Sequence, residues 1–335
     1  MLSPFLSWCA TQGIITPLTL CGEETSYRYM KIDNHSLSGD ILRIPLKACI
    51  IDKTPELLSQ KLAKERDMGD ESIFAPYINV LPTLDVSENG DYIGPLSCMP
   101  RFWDEKRIEV VSDADGGQLE RKLIEDKRNG LDPWAHACVT SRANYVLGHG
   151  YAMTPILDMI NHDSSISTSA RVDEEDELYL SSSTSFSAGS EVFISYGELT
   201  NLETLCSYGF VSSKNEHNKE SIDVIMIRKA PVKVTFSCID GSIDENSLAI
   251  LRSFLATPAE LDNTKFFDKP ISDNNEEEVF SLIASYLQEA IEDAARGVNK
   301  LKGQDELLEK YLSSRVSTLE KGLTFVNTKF PCLEY

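Results

Sequence analysis

The chain has 335 residues, 41% hydrophobic and 25% charged, an ordinary composition for a globular protein with a sizeable core in one large domain or two smaller ones. Fifty-three acidic residues against thirty-two basic ones give a formal charge of -21, so nucleic acid is not an expected partner and a basic protein segment suits the surface better. No apolar run approaches the roughly 18 residues of a membrane span, so no membrane partner is expected either.

The N-terminal "MLSPFLSWCATQG" lacks a basic n-region and spaces Leu2, Phe5, Leu6 and Cys9 as one helix face, so it reads as structure and not as a leader. The expected compartment is cytosol or nucleus; a plastid address stays open, with no transit peptide legible. "SYRYMKIDNHSLSGDILRIPLKACIID" then reads as two short strands around a Ser-Gly-Asp turn. Thr54 can cap a helix whose first residue is Pro55, and helical spacing such as Leu58 and Leu62 continues to about Asn144, broken by Pro and Gly at 82, 90, 94, 95 and 100.

From Gly148 to about Ser213 short apolar runs return as strands, "MTPILDMI", "DELYLSSS" and "SEVFISYG". "SIDVIMIRKAPVKVTFSCID" supplies two more. Val279, Leu282, Ile283, Tyr286, Leu287, Ala290, Ile291 and Ala294 mark an amphipathic helix, and "DELLEKYLSSRVSTLEKGL" reads as its antiparallel partner after a Lys-Gly-Gln-Asp turn. The chain thus divides into four stretches: 1–55, 56–140, 141–215 and 216–335. Eight cysteines stand singly, without C-x-x-C spacing, and read as reduced thiols; no metal site is expected.

Taken one at a time, the polar motifs have plain readings. Asn161-His162 can be a turn, Tyr196 and Tyr208 half-buried aromatics, Ser141-Arg142 a solvated helix end, and the acidic run Asp173 to Glu177 a solvated hairpin tip. Their conjunction is more specific. An Asn-His pair after an apolar run, Gly-x-x-Val-x-Ile-x-Tyr at 189–196, Asn201, and Tyr-Gly-Phe at 208–210 resemble the C-terminal signature of a SET domain. "FLSWCATQGI", "SRAN", "LDMINH" and "ISYGELTNLETLCSYGF" stand in the order seen in the branch containing the Rubisco large-subunit lysine methyltransferase.

The resemblance covers nearly the whole chain. It implies an α+β SET domain begun in 1–55, interrupted by a helical insertion over 56–140, resumed over 141–215, and followed over 216–335 by a mostly helical substrate-binding-like domain. It further implies an S-adenosylmethionine-dependent protein-lysine N-methyltransferase, expected to be a monomer. Arg142, with Ser141 beside it, would pair with the cofactor's carboxylate; Asn161, His162 and the nearby Asp158 would line the cofactor; Tyr196 and Tyr208 would be catalytic, Tyr196 also touching the cofactor, with Phe210 helping to enclose it.

One departure stands out. The family opens its SET domain with Gly-x-Gly, where missing side chains let backbone approach the cofactor, and that register falls here on Tyr27-Arg28-Tyr29. A SET-fold protein-binding module that is weak or inactive in catalysis therefore stays open, and the resemblance to this branch also leaves open a methyltransferase acting on histidine.

Overall fold

The computed structural model describes residues 2–22, 27–33, 37–126, 130–225 and 230–329. They form two units, Met1–Trp103 with Lys127–Glu198 and Ser207–Gly209, and Asp104–Asp126 with Leu199–Cys206 and Phe210–Tyr335. The 56–140 stretch contributes to both.

The first unit is built from small sheets. Its longest, Glu177–Phe186, lies antiparallel between Thr168–Val172 and Leu37–Pro45. A second antiparallel sheet has Gly150–Met153 between Ile50–Asp52 and Asn144–Val146, and Leu18–Cys21 pairs with Tyr29–Ile32. Alternation in Tyr29–Ile32 puts Met30 and Ile32 into the core, where they meet Ile41, Ile44, Ile50, Leu58, Leu62 and Tyr77. Each such aliphatic side chain contributes about 1.5 to 3 kcal/mol of burial.

Two capped helices frame this core. Thr54 accepts from Leu57 N at 3.3 Å ahead of Pro55–Asp67, and Asp132 accepts from Ala135 N at 2.9 Å ahead of Pro133–Arg142. The guanidinium of Arg66 joins them, donating to both oxygens of Asp132 at 3.0 and 2.9 Å and lying 4.8 Å from the Trp134 ring centroid.

Three local expectations change. On the helix Leu2–Thr11 the buried face is Phe5, Trp8 and Cys9 while Leu6 is exposed, because the indole packs against Phe5, Phe74 and Tyr77. Ser-Gly-Asp is not a turn: it lies inside the strand Leu37–Pro45, where Gly39 at φ +83° allows a bulge that leaves Ile41 without a partner in the register. A short hairpin, Asp85–Val86 with Tyr92–Ile93, also interrupts the helical insertion.

The second unit carries the hairpin Lys219–Val224 with Val232–Ser237 and the helices Asp273–Leu301 and Glu306–Lys329. Val279, Phe280, Ile283 and Leu287 pack with Leu319, Val326 and Phe236, as the helical spacing requires. Inside it Arg315 and Glu220 form a buried ion pair at 2.8 Å. Asn201 starts the helix Asn201–Tyr208 and joins a polar network with Asn215, Asn218 and Ser314.

Candidate active site

The apolar run before Asn161 is not one strand. Gly150–Met153 ends at Thr154, Pro155 cannot extend the ladder, and Ile156 takes φ +73° and ψ -51°, a region costly for a β-branched residue. A single 3₁₀ turn, Leu157–Met159, follows. It delivers Asn161–His162 as a two-residue strand, parallel to Phe193–Ile194, so that Asn161 faces Phe193 and His162 faces Ile194. The Asn-His and Ile-Ser-Tyr motifs are thereby neighbours although some thirty residues apart.

His162 Nδ1 accepts the backbone N–H of Tyr196 at 3.0 Å, which assigns the ring proton of neutral His162 to Nε2. The rings of His162 and Tyr196 lie 5.0 Å apart, and those of Tyr196 and Tyr208 4.8 Å. The Tyr196 hydroxyl donates to the Ile160 carbonyl at 2.8 Å. Burial pushes its pKa far up, with the Arg142 charge pulling partly the other way, and burial raises Tyr208 as well. Tyr196 is therefore a neutral phenol that gives its proton to a carbonyl, and no described residue donates to its oxygen. It can accept from a nitrogen; it cannot serve as a base near neutral pH.

Arg142 ends the helix Pro133–Arg142. One of its terminal nitrogens donates to the Asp158 carbonyl at 2.6 Å, while Nε, buried, meets no described residue. The Asp158 carboxylate accepts from the hydroxyl of fully buried Tyr77, and its other oxygen meets no described partner. Burial raises its pKa to about 6, with Arg142 and Tyr77 opposing the shift. Ser141 instead bonds back to its own helix, donating to Ala137 O at 2.8 Å. Asn144 donates to Thr154 Oγ1 at 2.7 Å, tying the end of "SRAN" to the residue before Pro155.

Asn161 gives its amide to two acceptors, Arg28 O at 2.8 Å and Glu191 Oε1 at 2.9 Å; the Tyr27 hydroxyl also donates to Glu191 Oε1, at 2.8 Å. The Tyr27 and Tyr29 rings stack at 5.8 Å with Tyr27 62% exposed, while Arg28 turns the opposite way and donates to Val80 O at 2.6 Å. Burial, then Glu191, raises Tyr27 to about 12.

The structure thus brings Arg142, Asp158, Asn161, His162, Tyr196 and Tyr208 together in the first unit. Phe210, half-buried, belongs to the second. Sequence reasoning missed Tyr77 and Glu191. Nothing near Tyr77 in sequence signals its partner 81 residues away, but Glu191, a lone carboxylate inside "SEVFISYG", was a legible signal.

The chain matches the SET domain of LSMT bound to methyllysine and AdoHcy over 98% of its own length and 91% of that chain, with a TM-score of 0.70 at 17% identity; Rubisco LSMT bound to AdoMet matches equally well. The chain has a SET-domain fold. In sequence the chain is 20% identical over 283 residues to the N-lysine methyltransferase setd6 of Xenopus laevis, covering 67% of the chain and 60% of that protein. It is 27% identical over 180 residues to SET domain-containing protein 4 of Homo sapiens, covering 47% and 41%. The SET-fold chain spans about half the length of the curated relatives it matches. No protein-family model matches it.

Proposed function

We propose that the chain is an S-adenosylmethionine-dependent protein-lysine N-methyltransferase. The observation that carries this reading is Tyr196: a neutral phenol anchored to Ile160 O, flanked by the rings of His162 and Tyr208, with no described residue donating to its oxygen. The fit to the cofactor rests on two groups. Buried Arg142 Nε needs an acceptor, which a carboxylate supplies, and Asn161 Oδ1, to which no described residue donates, can accept from an ammonium.

S-adenosylmethionine, when bound, supplies an electrophilic methyl group. The chain's part is to present the amine. A lysine, reference pKa about 10.4, has to lose its proton to solvent before it attacks, and the aromatic surroundings of Tyr196 and Tyr208 disfavour the charged form. Tyr196 then accepts an N–H of the neutral amine and turns its lone pair in line, so that positioning supplies much of the rate. Asp158 holds the loop behind Arg142 through Tyr77.

The substrate in this reading is a protein amine in a basic segment, which suits a chain of charge -21, with residues 216–335 acting as the substrate-holding part. The protein acts as a monomer in cytosol or nucleus. Cell extract incubated with the protein and isotope-labelled S-adenosylmethionine, analysed by mass spectrometry, tests this: labelled lysine is expected, and labelled histidine or no label would overturn it.

One observation favours a second reading, a SET-fold binding module without turnover: side chains stand at 27 and 29 where the family has none, and the Tyr27 hydroxyl reaches the Glu191 carboxylate that also holds Asn161. Binding of S-adenosylhomocysteine with no labelled product would select it.

A further inference from the structure

We propose that Glu191 is a positioning residue for the amino-acid end of the cofactor, a role that rests on the reading just given. Asn161 is the only part of the Asn-His pair with a side-chain amide, and an amide can face a ligand with either its oxygen or its nitrogen. Here the choice is made by the surroundings. Arg28 O at 2.8 Å and Glu191 Oε1 at 2.9 Å both accept, so both hydrogens of the Asn161 nitrogen are spent on them. Oδ1 is left as the outward atom, an acceptor for an ammonium.

The Arg28 carbonyl alone satisfies only one of the two N–H groups; Glu191 is what holds the second. Tyr27 completes the clip by donating to the same oxygen at 2.8 Å, and backbone bonds keep the partners in register, Val192 N to Met30 O at 2.8 Å and Gly189 N to Ile32 O at 2.7 Å. The strand that lacks Gly-x-Gly is thus tied to the Asn-His strand by side chains: the replacement at 27 takes part in orienting Asn161 and does not merely obstruct it.

Calorimetry with S-adenosylhomocysteine and with methylthioadenosine, the same nucleoside thioether without its amino-acid end, tests the assignment. In Glu191→Ala the first ligand is expected to weaken on the order of tenfold, the value of one lost hydrogen bond, and the second to bind as in the parent. Glu191→Gln keeps an acceptor oxygen and is expected to restore the affinity; Tyr27→Phe, which leaves the Asn161 contact in place, is expected to lose less than Glu191→Ala. Equal loss for both ligands means general damage and overturns the role, as does no loss for either. A parent protein that binds neither ligand would instead overturn the cofactor reading, and this inference with it.

Discussion

On the proposed reading Arg142 and Tyr196 do different work in one site, and substitution separates them. Arg142 offers a fork of donors with Nε buried and unmet by any described residue, so Arg142→Ala removes a charge-assisted contact to a ligand carboxylate. Affinity for S-adenosylhomocysteine is expected to fall by about 1.5 to 3 kcal/mol in calorimetry; equal affinity would take Arg142 out of the site. Tyr196→Phe keeps the ring between His162 and Tyr208 and deletes only the hydroxyl bonded to Ile160 O. The variant is expected to fold and to bind cofactor as the parent does but to lose about 100-fold or more in turnover, since on that reading the hydroxyl orients the amine. Unchanged turnover would refute that role.

At the scale of elements, Asp115 shows how a turn can depend on pH. It ends the helix Glu105–Asp115 ahead of Gln118–Glu125, where Gly116 and Gly117 at φ +69° and +74° reverse the chain, and its two oxygens accept Gln118 N and Leu119 N at 2.9 Å each. Burial raises its pKa from 3.8 to about 6, against the pull of Arg315 and of those amides. A carboxyl whose folded pKa lies above its unfolded one favours the folded state below pH 4, and the contribution is lost as pH rises through 6. Urea unfolding of the parent and Asp115→Asn between pH 4 and 8 is expected to show the parent's relative stability falling by on the order of 2 to 3 kcal/mol up to about pH 6 to 7 and flat above. A difference independent of pH would contradict the raised pKa.

For the whole molecule, the formal charge of -21 opposes folding by self-repulsion. Raising ionic strength from about 0.01 to 0.15 M shortens the screening length from about 30 to 8 Å. The thermal unfolding midpoint is therefore expected to rise with salt over that range; a fall would mean that attractive pairs such as Arg66 with Asp132 outweigh the repulsion.

What the sequence by itself determined were the features written in local chemistry. The cap at Thr54, the amphipathic repeat from Val279 to Ala294 and the motifs at 141–144, 157–162 and 189–196 were legible because a cap, a helix face or a motif needs only residues within a few positions of one another. Tertiary structure decided the rest. Whether Gly39 made a turn or a bulge depended on the register of Glu177–Phe186; whether Leu6 or Trp8 faced inward depended on where Phe74 and Tyr77 lay. The pairing of Tyr77 with Asp158, and of Tyr27 and Asn161 with Glu191, joins residues 81, 164 and 30 positions apart, and a hydrogen bond over such a distance exists only once packing has brought its two ends together.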